Sequence, residues 1–282
     1  MKKVLFALLT LVFIGSFCAA SAMALTAEDI LKTSALEEIQ KRGKLLVGLE
    51  AGYQPFEMQD EKGNIVGFDV DMAYEMGKAI FGKGGEKKVE LVNTAWEGII
   101  PSLMTHKFDI IMSGMTLLQS RNLKVNFCEP YYYIGQCLLI QKKDKDKYKS
   151  YKDLNKKGVI ITSKLGTTGS FTAERLMPKA KATYRFFKTE AEAALQVANG
   201  IADAFVYDEP QVRVNAAKYK DTTVGLFEPL TYEPLAWAIR KGDPDFLNFL
   251  NNFLAQTRGD GRWDQIKQKW FVDYIDEMAK KQ

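Results

Sequence analysis

Lys44-Leu45-Leu46-Val47-Gly48-Leu49, then Glu50, then Gly52-Tyr53-Gln54-Pro55-Phe56-Glu57, is the stretch on which the fold turns. Six residues with little in/out alternation read as a strand buried on both faces, and polar and aromatic residues follow at its carboxyl end. The same unit recurs along the chain. Apolar runs at Val89 to Val92, Asp109 to Met112, Cys137 to Ile140, Gly158 to Ile161 and Ala202 to Tyr207 predict further strands. Helical spacing predicts helices over Asp69 to Ile80, Glu97 to Met104, Phe171 to Met177 and Glu190 to Asn199. Alternating strands and helices imply an α/β architecture of parallel sheets covered on both faces. Before the first strand, Ser34 and Glu37 have capping-box spacing, and Gly43 closes the short helix they begin.

The amino terminus sets the compartment. Lys2 and Lys3 precede an apolar run from Val4 to Ile14 and a small-residue stretch ending Ala22-Met23-Ala24. The run is far shorter than the roughly 20 residues of a membrane-spanning helix, so it reads as a signal peptide cleaved before Leu25. Cys18 raises the alternative of a lipid anchor, but the bulky Phe17 before it fits that processing poorly. With 39 basic and 35 acidic residues, the net charge of +4 gives no electrostatic case for nucleic acid, and loss of Lys2 and Lys3 narrows the imbalance further.

Two cysteines follow the leader, Cys128 and Cys137. An extended path between them spans about 30 Å, well beyond disulfide reach, so two separate buried thiols are expected. A catalytic thiol would want a histidine partner. The single histidine, His106, sits between a helix and a strand and reads as a surface residue. No metal-ligand cluster is apparent, and no cofactor is expected. Lys142 to Lys149 mixes lysines with Asp144 and Asp146 and reads as a solvated loop. Gly82-Lys83-Gly84-Gly85 lacks a phosphate-loop ending and reads as a turn.

In open α/β sheets, ligands bind beyond the carboxyl ends of the strands. Four predicted strand ends carry related content. Glu50 and Tyr53 follow the first. Ser113, Gly114, Met115, Thr116 and then Arg121 follow Met112. Lys164, Gly166, Thr167 and Thr168 follow Ile161, and Asp208 follows Tyr207. Together they complement the head of an amino acid. Arg121 offers a planar fork for a carboxylate, the helix start after Gly166 offers N–H groups, and Asp208 offers a carboxylate for an ammonium. Taken singly, each has a plainer reading: Arg121 as a surface ion-pair partner, Asp208 as the start of a turn, Thr167-Thr168 as a helix cap.

At these residues the chain resembles the periplasmic solute-binding proteins of polar amino-acid ABC transporters. The matching stretches are Gly52 to Glu57, Gly67 to Asp71, Trp96 to Leu103, Phe108 to Ile110, Met115-Thr116 with Arg121, Phe127 to Tyr131, Leu165 to Thr167, Asp203 to Glu209 and Gly259 to Trp270, in that order over nearly all of the chain after residue 24. The resemblance implies a two-lobed periplasmic-binding-protein-like fold of type II with two hinge strands. Residues 25–133 and 232–282 would form lobe one and 134–231 lobe two, with crossings near Tyr133 to Gly135 and Leu230 to Tyr232. It gives Arg121 the carboxylate role, supported by Thr116 and Thr168, and Asp208 the ammonium role. Tyr53 and Trp96 would sandwich the side chain of the ligand, and Trp96 is larger than the usual residue there. Glu50 and Lys164 fall where they would face the tail of the ligand. If they pair, the tail environment is polar and near neutral, which favours a glutamine-like ligand over a strongly charged one.

The implied function is capture of an amino acid in the periplasm by a monomer and its delivery to ABC permease subunits, with no chemistry. Two rivals remain. Some proteins of this fold dehydrate small carboxylic acids such as prephenate or arogenate. Glu190 or Glu192 could serve as an acid, although neither follows a predicted strand end. The other rival is a ligand sensor that reports to a signalling partner.

Overall fold

A computed structural model describes residues 34–280. The expected signal peptide, its cleavage site and Cys18 lie outside the described residues. None of the described helices is long and apolar enough to cross a membrane.

The first half of the chain builds one sheet and a small hairpin. The strands are β1 (Leu45–Leu49), β2 (Met58–Gln59), β3 (Ile65–Val66), β4 (Val89–Asn93), β5 (Ile110–Ile111) and β6 (Asn126–Phe127). A short strand β7 (Tyr132–Ile134) then leads into β8 (Gln136–Gln141), β9 (Ile161–Lys164), β10 (Tyr184–Phe187), β11 (Ala204–Asp208) and β12 (Thr223–Leu226). The chain returns through β13 (Glu233–Leu235) to β14 (Ala238–Ile239). The first sheet has the order β4-β1-β5-β14-β6 and the second β10-β9-β11-β8-β12. Each sheet forms a lobe, and the antiparallel pair β7–β13 is the ribbon between them.

The sheets are mixed rather than wholly parallel. β14 runs antiparallel to β5 and β6, and β8 antiparallel to β11 and β12. The two crossings cause this, because each delivers the chain to a new lobe in the direction opposite to its βαβ units. The returning strand of the ribbon, β13, covers Glu233–Leu235.

Two further expectations shift for a common reason. β9 covers Ile161–Lys164 instead of Gly158 to Ile161, and the following helix starts at Thr168 instead of Phe171. Hydropathy misses both because the buried polar residues there are satisfied internally. The Thr162 hydroxyl donates to the Ala193 carbonyl (3.0 Å), and Ser163 to the Val206 carbonyl (2.9 Å). At Ser34 the expected reciprocal box with Glu37 does not form. Ser34 accepts from Leu36 N and donates to Asp243 Oδ1 (3.0 Å), while Asp243 Oδ2 takes the Ala35 N–H (2.6 Å). A carboxylate 209 positions away thus ties the helix Ala35–Arg42 to lobe one. Cys128 and Cys137 are both buried and unbridged. The helix Tyr274–Lys280 packs against the lobe-two helix Glu209–Lys218.

Asp69, fully buried near the amino end of the helix Phe68–Phe81, organises the cleft side of lobe one. Its Oδ2 accepts from Gly114 N (2.9 Å) and the Tyr131 hydroxyl (2.8 Å), and its Oδ1 from the Trp237 indole (2.9 Å). Burial pushes this carboxyl up to about 6, against the pull of the three donors. Gly114 is at φ +50°, and a Cβ there would meet the Tyr53 ring at 2.1 Å, so the backbone and the ring fit only around glycine. Asp69→Ala strands three buried donors and should lower the unfolding free energy by about 3 kcal/mol, read by urea denaturation.

Candidate functional site

The carboxyl ends of strands from both sheets face one cavity between the lobes. Lobe one contributes Glu50 after β1, Trp96 after β4, Tyr53, and then Ser113, Gly114, Thr116 and Arg121 beyond β5. Lobe two contributes Lys164, the last residue of β9, with Thr167 and Thr168 at the helix start and Asp208 at the end of β11. Met115 does not join them. Its side chain is buried beside Ile99, Leu103 and Phe108 in the lobe-one core, because the turn at Gly114 sends alternate residues to opposite sides. Its carbonyl accepts Ala236 N (3.0 Å) instead.

The structure adds Glu57 and Tyr207 to the lining, and Glu190 beside it. Glu57 sits in the apolar-looking Pro55-Phe56-Glu57 turn and gave no sequence signal of its own. Its Oε1 takes the Ser113 hydroxyl proton (2.6 Å), and its Oε2 has no hydrogen-bond partner. Burial, reinforced by Asp69, holds this carboxyl well above the usual range. Glu190 does follow a strand end, that of β10, contrary to expectation. The strand Tyr184-Arg185-Phe186-Phe187 carries a charge that interrupts its apolar pattern. His106 is exposed and belongs to neither group.

The cleft is closed, with hydrogen bonds running from lobe to lobe. The Tyr53 hydroxyl donates to Asp208 Oδ2, the Trp96 indole donates to the Gly166 carbonyl (3.2 Å), and Lys164 pairs with Glu50. The room left for the centre of a water molecule is ≈ 20 Å³, about one water and far short of an amino acid. Protein side chains fill most of the space.

Asp208 and Arg121 share this cavity from opposite lobes. Asp208 Oδ1 accepts from the Gln136 amide, which also donates to Thr168 Oγ1 (3.1 Å). Burial and then nearby Glu233 raise the Asp208 carboxyl to about 7, although Tyr53, Gln136 and Arg121 pull the other way. Burial lowers the Arg121 guanidinium to about 10, opposed by Glu233 and Asp208. Its Nη1 donates to the Thr116 carbonyl (2.9 Å), which fixes the fork over Trp96, 5.1 Å from the ring centroid. Both groups are therefore held in surroundings that penalise their charged forms. A partner carrying a carboxylate and an ammonium relieves both penalties at once.

The sequence from Leu45 to Asp273 matches the model of bacterial extracellular solute-binding proteins, family 3. The chain belongs to that family. A relative described as a histidine-binding protein of Neisseria gonorrhoeae is 32% identical over 95% of this chain and 98% of its own length. A binding component of an ABC transporter from Wolinella succinogenes, solved in complex with lysine, is 52% identical, covers 82% of this chain and 97% of its own, and superposes with TM-score 0.77. The ancestral amino-acid-binding protein AncCDT-1, a precursor of cyclohexadienyl dehydratase, is 47% identical over 84% of this chain and the whole of its own, with TM-score 0.78. The protein is thus an extracellular solute-binding protein of the amino-acid-binding kind associated with ABC transporters.

The raised Asp208 gives a pH dependence. An ammonium beside Asp208 favours its ionised form, so below about pH 7 binding must first expel a proton. The dissociation constant should rise by up to about tenfold per pH unit as pH falls from 7 to 5. Titration calorimetry in buffers of different ionisation enthalpy checks it, since proton release should appear over the same window.

Proposed function

We propose that this solute-binding protein captures a cationic amino acid in the periplasm, as a monomer, and presents it to an ABC permease without altering it. One observation carries the choice of side chain. At the end of the cavity away from Asp208, the single ammonium of Lys164 faces two carboxylates, Glu50 and Glu190. The pairing of Glu50 with Lys164 alone favours a neutral, glutamine-like tail. The second carboxylate leaves the tail region one negative charge in excess, which a lysine or arginine side chain would balance. Trp96 and Tyr53 add aromatic faces suited to a cation on an aliphatic stem. The lysine complex of the Wolinella relative supports this reading.

In this mechanism Arg121, on lobe one, takes the ligand carboxylate together with the N–H groups at the start of the helix Thr168–Leu176. Asp208, on lobe two, takes the ammonium. A ligand gripped by both lobes binds the closed form better than the open one, and that difference adds to the inter-lobe hydrogen bonds that already hold the lobes together about the β7–β13 ribbon. Of the described residues, 34–133 and 232–280 then belong to lobe one and 134–231 to lobe two.

Dehydration is the second reading, because AncCDT-1 is described as a precursor of an enzyme and Glu57 is a buried carboxyl that burial, reinforced by Asp69, holds well above the usual range. Incubation with prephenate or arogenate and a search for product separates the two.

Titration calorimetry with the twenty amino acids should give lysine and arginine as the tightest ligands. Binding of glutamine or an acidic amino acid with no response to either cation contradicts the assignment. Arg121→Lys keeps the charge and loses the fork, and should weaken binding by about ten- to a hundredfold.

A further inference from the structure

The tail end of the cleft already holds a cation, and it belongs to the protein. Lys164 is 3% exposed and reaches across the cleft to Glu50 Oε2. Its ammonium lies 3.5 Å from Glu190 Oε2 and 5.8 Å from the centroid of the Trp96 ring. Glu50 is held from its other side, where Oε1 accepts the Trp96 N–H (3.2 Å). Two residues past Lys164, the Gly166 carbonyl receives the Trp96 indole. Two carboxylates and an aromatic face are also the partners that the side chain of a lysine or arginine ligand would seek.

We propose that Lys164 is the specificity-determining residue of the cleft, an internal stand-in for the cationic tail of the ligand that also latches lobe two to lobe one through Glu50. The inference rests on the cationic-ligand reading for its selectivity part and on geometry alone for the latch. The two carboxylates are not equivalent. Glu190 lies in the same lobe as Lys164, at the start of a helix capped by Thr189, and moves with it when the lobes part. Glu50 lies in the other lobe, so it alone is exchanged. An entering cationic side chain takes Glu50 while Lys164 keeps Glu190, and no buried charge is left without a partner. A neutral amide entering the same place would leave the Lys164–Glu50 pair broken and Glu50 uncompensated. The internal cation thereby rejects ligands that cannot replace it. It also weakens binding of those that can, because they compete with a tethered ammonium already in place.

The test uses the full mature protein and three variants, Lys164→Gln, Lys164→Arg and Glu50→Gln, each checked for folding by thermal melting. Inter-lobe distance is read by fluorescence energy transfer without added amino acid, and affinities for lysine, arginine and glutamine by calorimetry. Wild type and Lys164→Arg should be closed, and Lys164→Gln and Glu50→Gln should open. Lys164→Gln should lose discrimination, its lysine-to-glutamine affinity ratio falling roughly tenfold below that of wild type because glutamine no longer has to break the Lys164–Glu50 pair. If Lys164→Gln does not fold, Glu50→Gln breaks the same latch from the other lobe while Lys164 keeps Glu190. The proposal is overturned if Glu50→Gln stays as closed as wild type, or if Lys164→Gln leaves the lysine-to-glutamine ratio unchanged. A wild type that binds glutamine and neither cation removes the cationic-ligand reading, and opening of the two Gln variants still reads the latch separately.

Discussion

A guanidinium and a carboxylate, each stripped of water and each on its own lobe, set the terms for the rest of this molecule. Arg121 and Asp208 both pay for burial, and the shifts of their ionisation in opposite directions record that cost. Neither charge is matched by a close ion-pair partner: Arg121 donates to a carbonyl, and Asp208 accepts from a phenol and an amide. In the proposed function a zwitterion completes the arrangement, because it would bring both missing charges on one small frame. The same electrostatics would add to closure on binding, since only the closed form lets one ligand serve both groups.

The remaining structure keeps those two groups in register. Thr116 donates to Glu233 Oε2 (3.0 Å), Thr231 donates to Glu233 Oε1 (2.8 Å), and the Thr231 hydroxyl accepts Gln136 N (2.9 Å). Gln136 in turn holds Asp208. A continuous polar chain therefore runs from the turn that carries Arg121, through the hinge strand β13, to the carboxylate of the opposite lobe. Asp69 does the equivalent work inside lobe one, fixing the Gly114 turn against Tyr53. The cleft is built on strand ends and hinge strands.

Much of this was legible in the sequence, for identifiable reasons. The strands β1, β4, β8 and β11 are apolar runs, and the residues after them stand out as polar against that background. The residues that went unread are those whose burial is made tolerable by long-range partners. Thr162 and Ser163 look like a loop until the carbonyls of Ala193, Ala204 and Val206 are placed beside them. Glu190 escaped because β10 carries Arg185, and Glu57 because it sits in a turn rather than at a strand end. Met115 was included on adjacency alone, and the φ of Gly114 turns it into the core. The misses at Thr162 and Ser163 concern contacts between segments far apart in the chain, which local pattern does not encode.

The most direct test of the central claim is a calorimetric comparison of lysine with lysine amide and Nα-acetyl-lysine on wild type, Arg121→Ala and Asp208→Ala. On wild type both blocked ligands should bind at least about a hundredfold more weakly than lysine, as expected when a charge-assisted contact is lost and its buried partner is stranded. Arg121→Ala should no longer distinguish lysine from its amide, and Asp208→Ala should no longer distinguish lysine from its acetylated form. If either variant keeps the full discrimination of the wild type at its own end of the ligand, the two-lobed grip on one zwitterion is wrong.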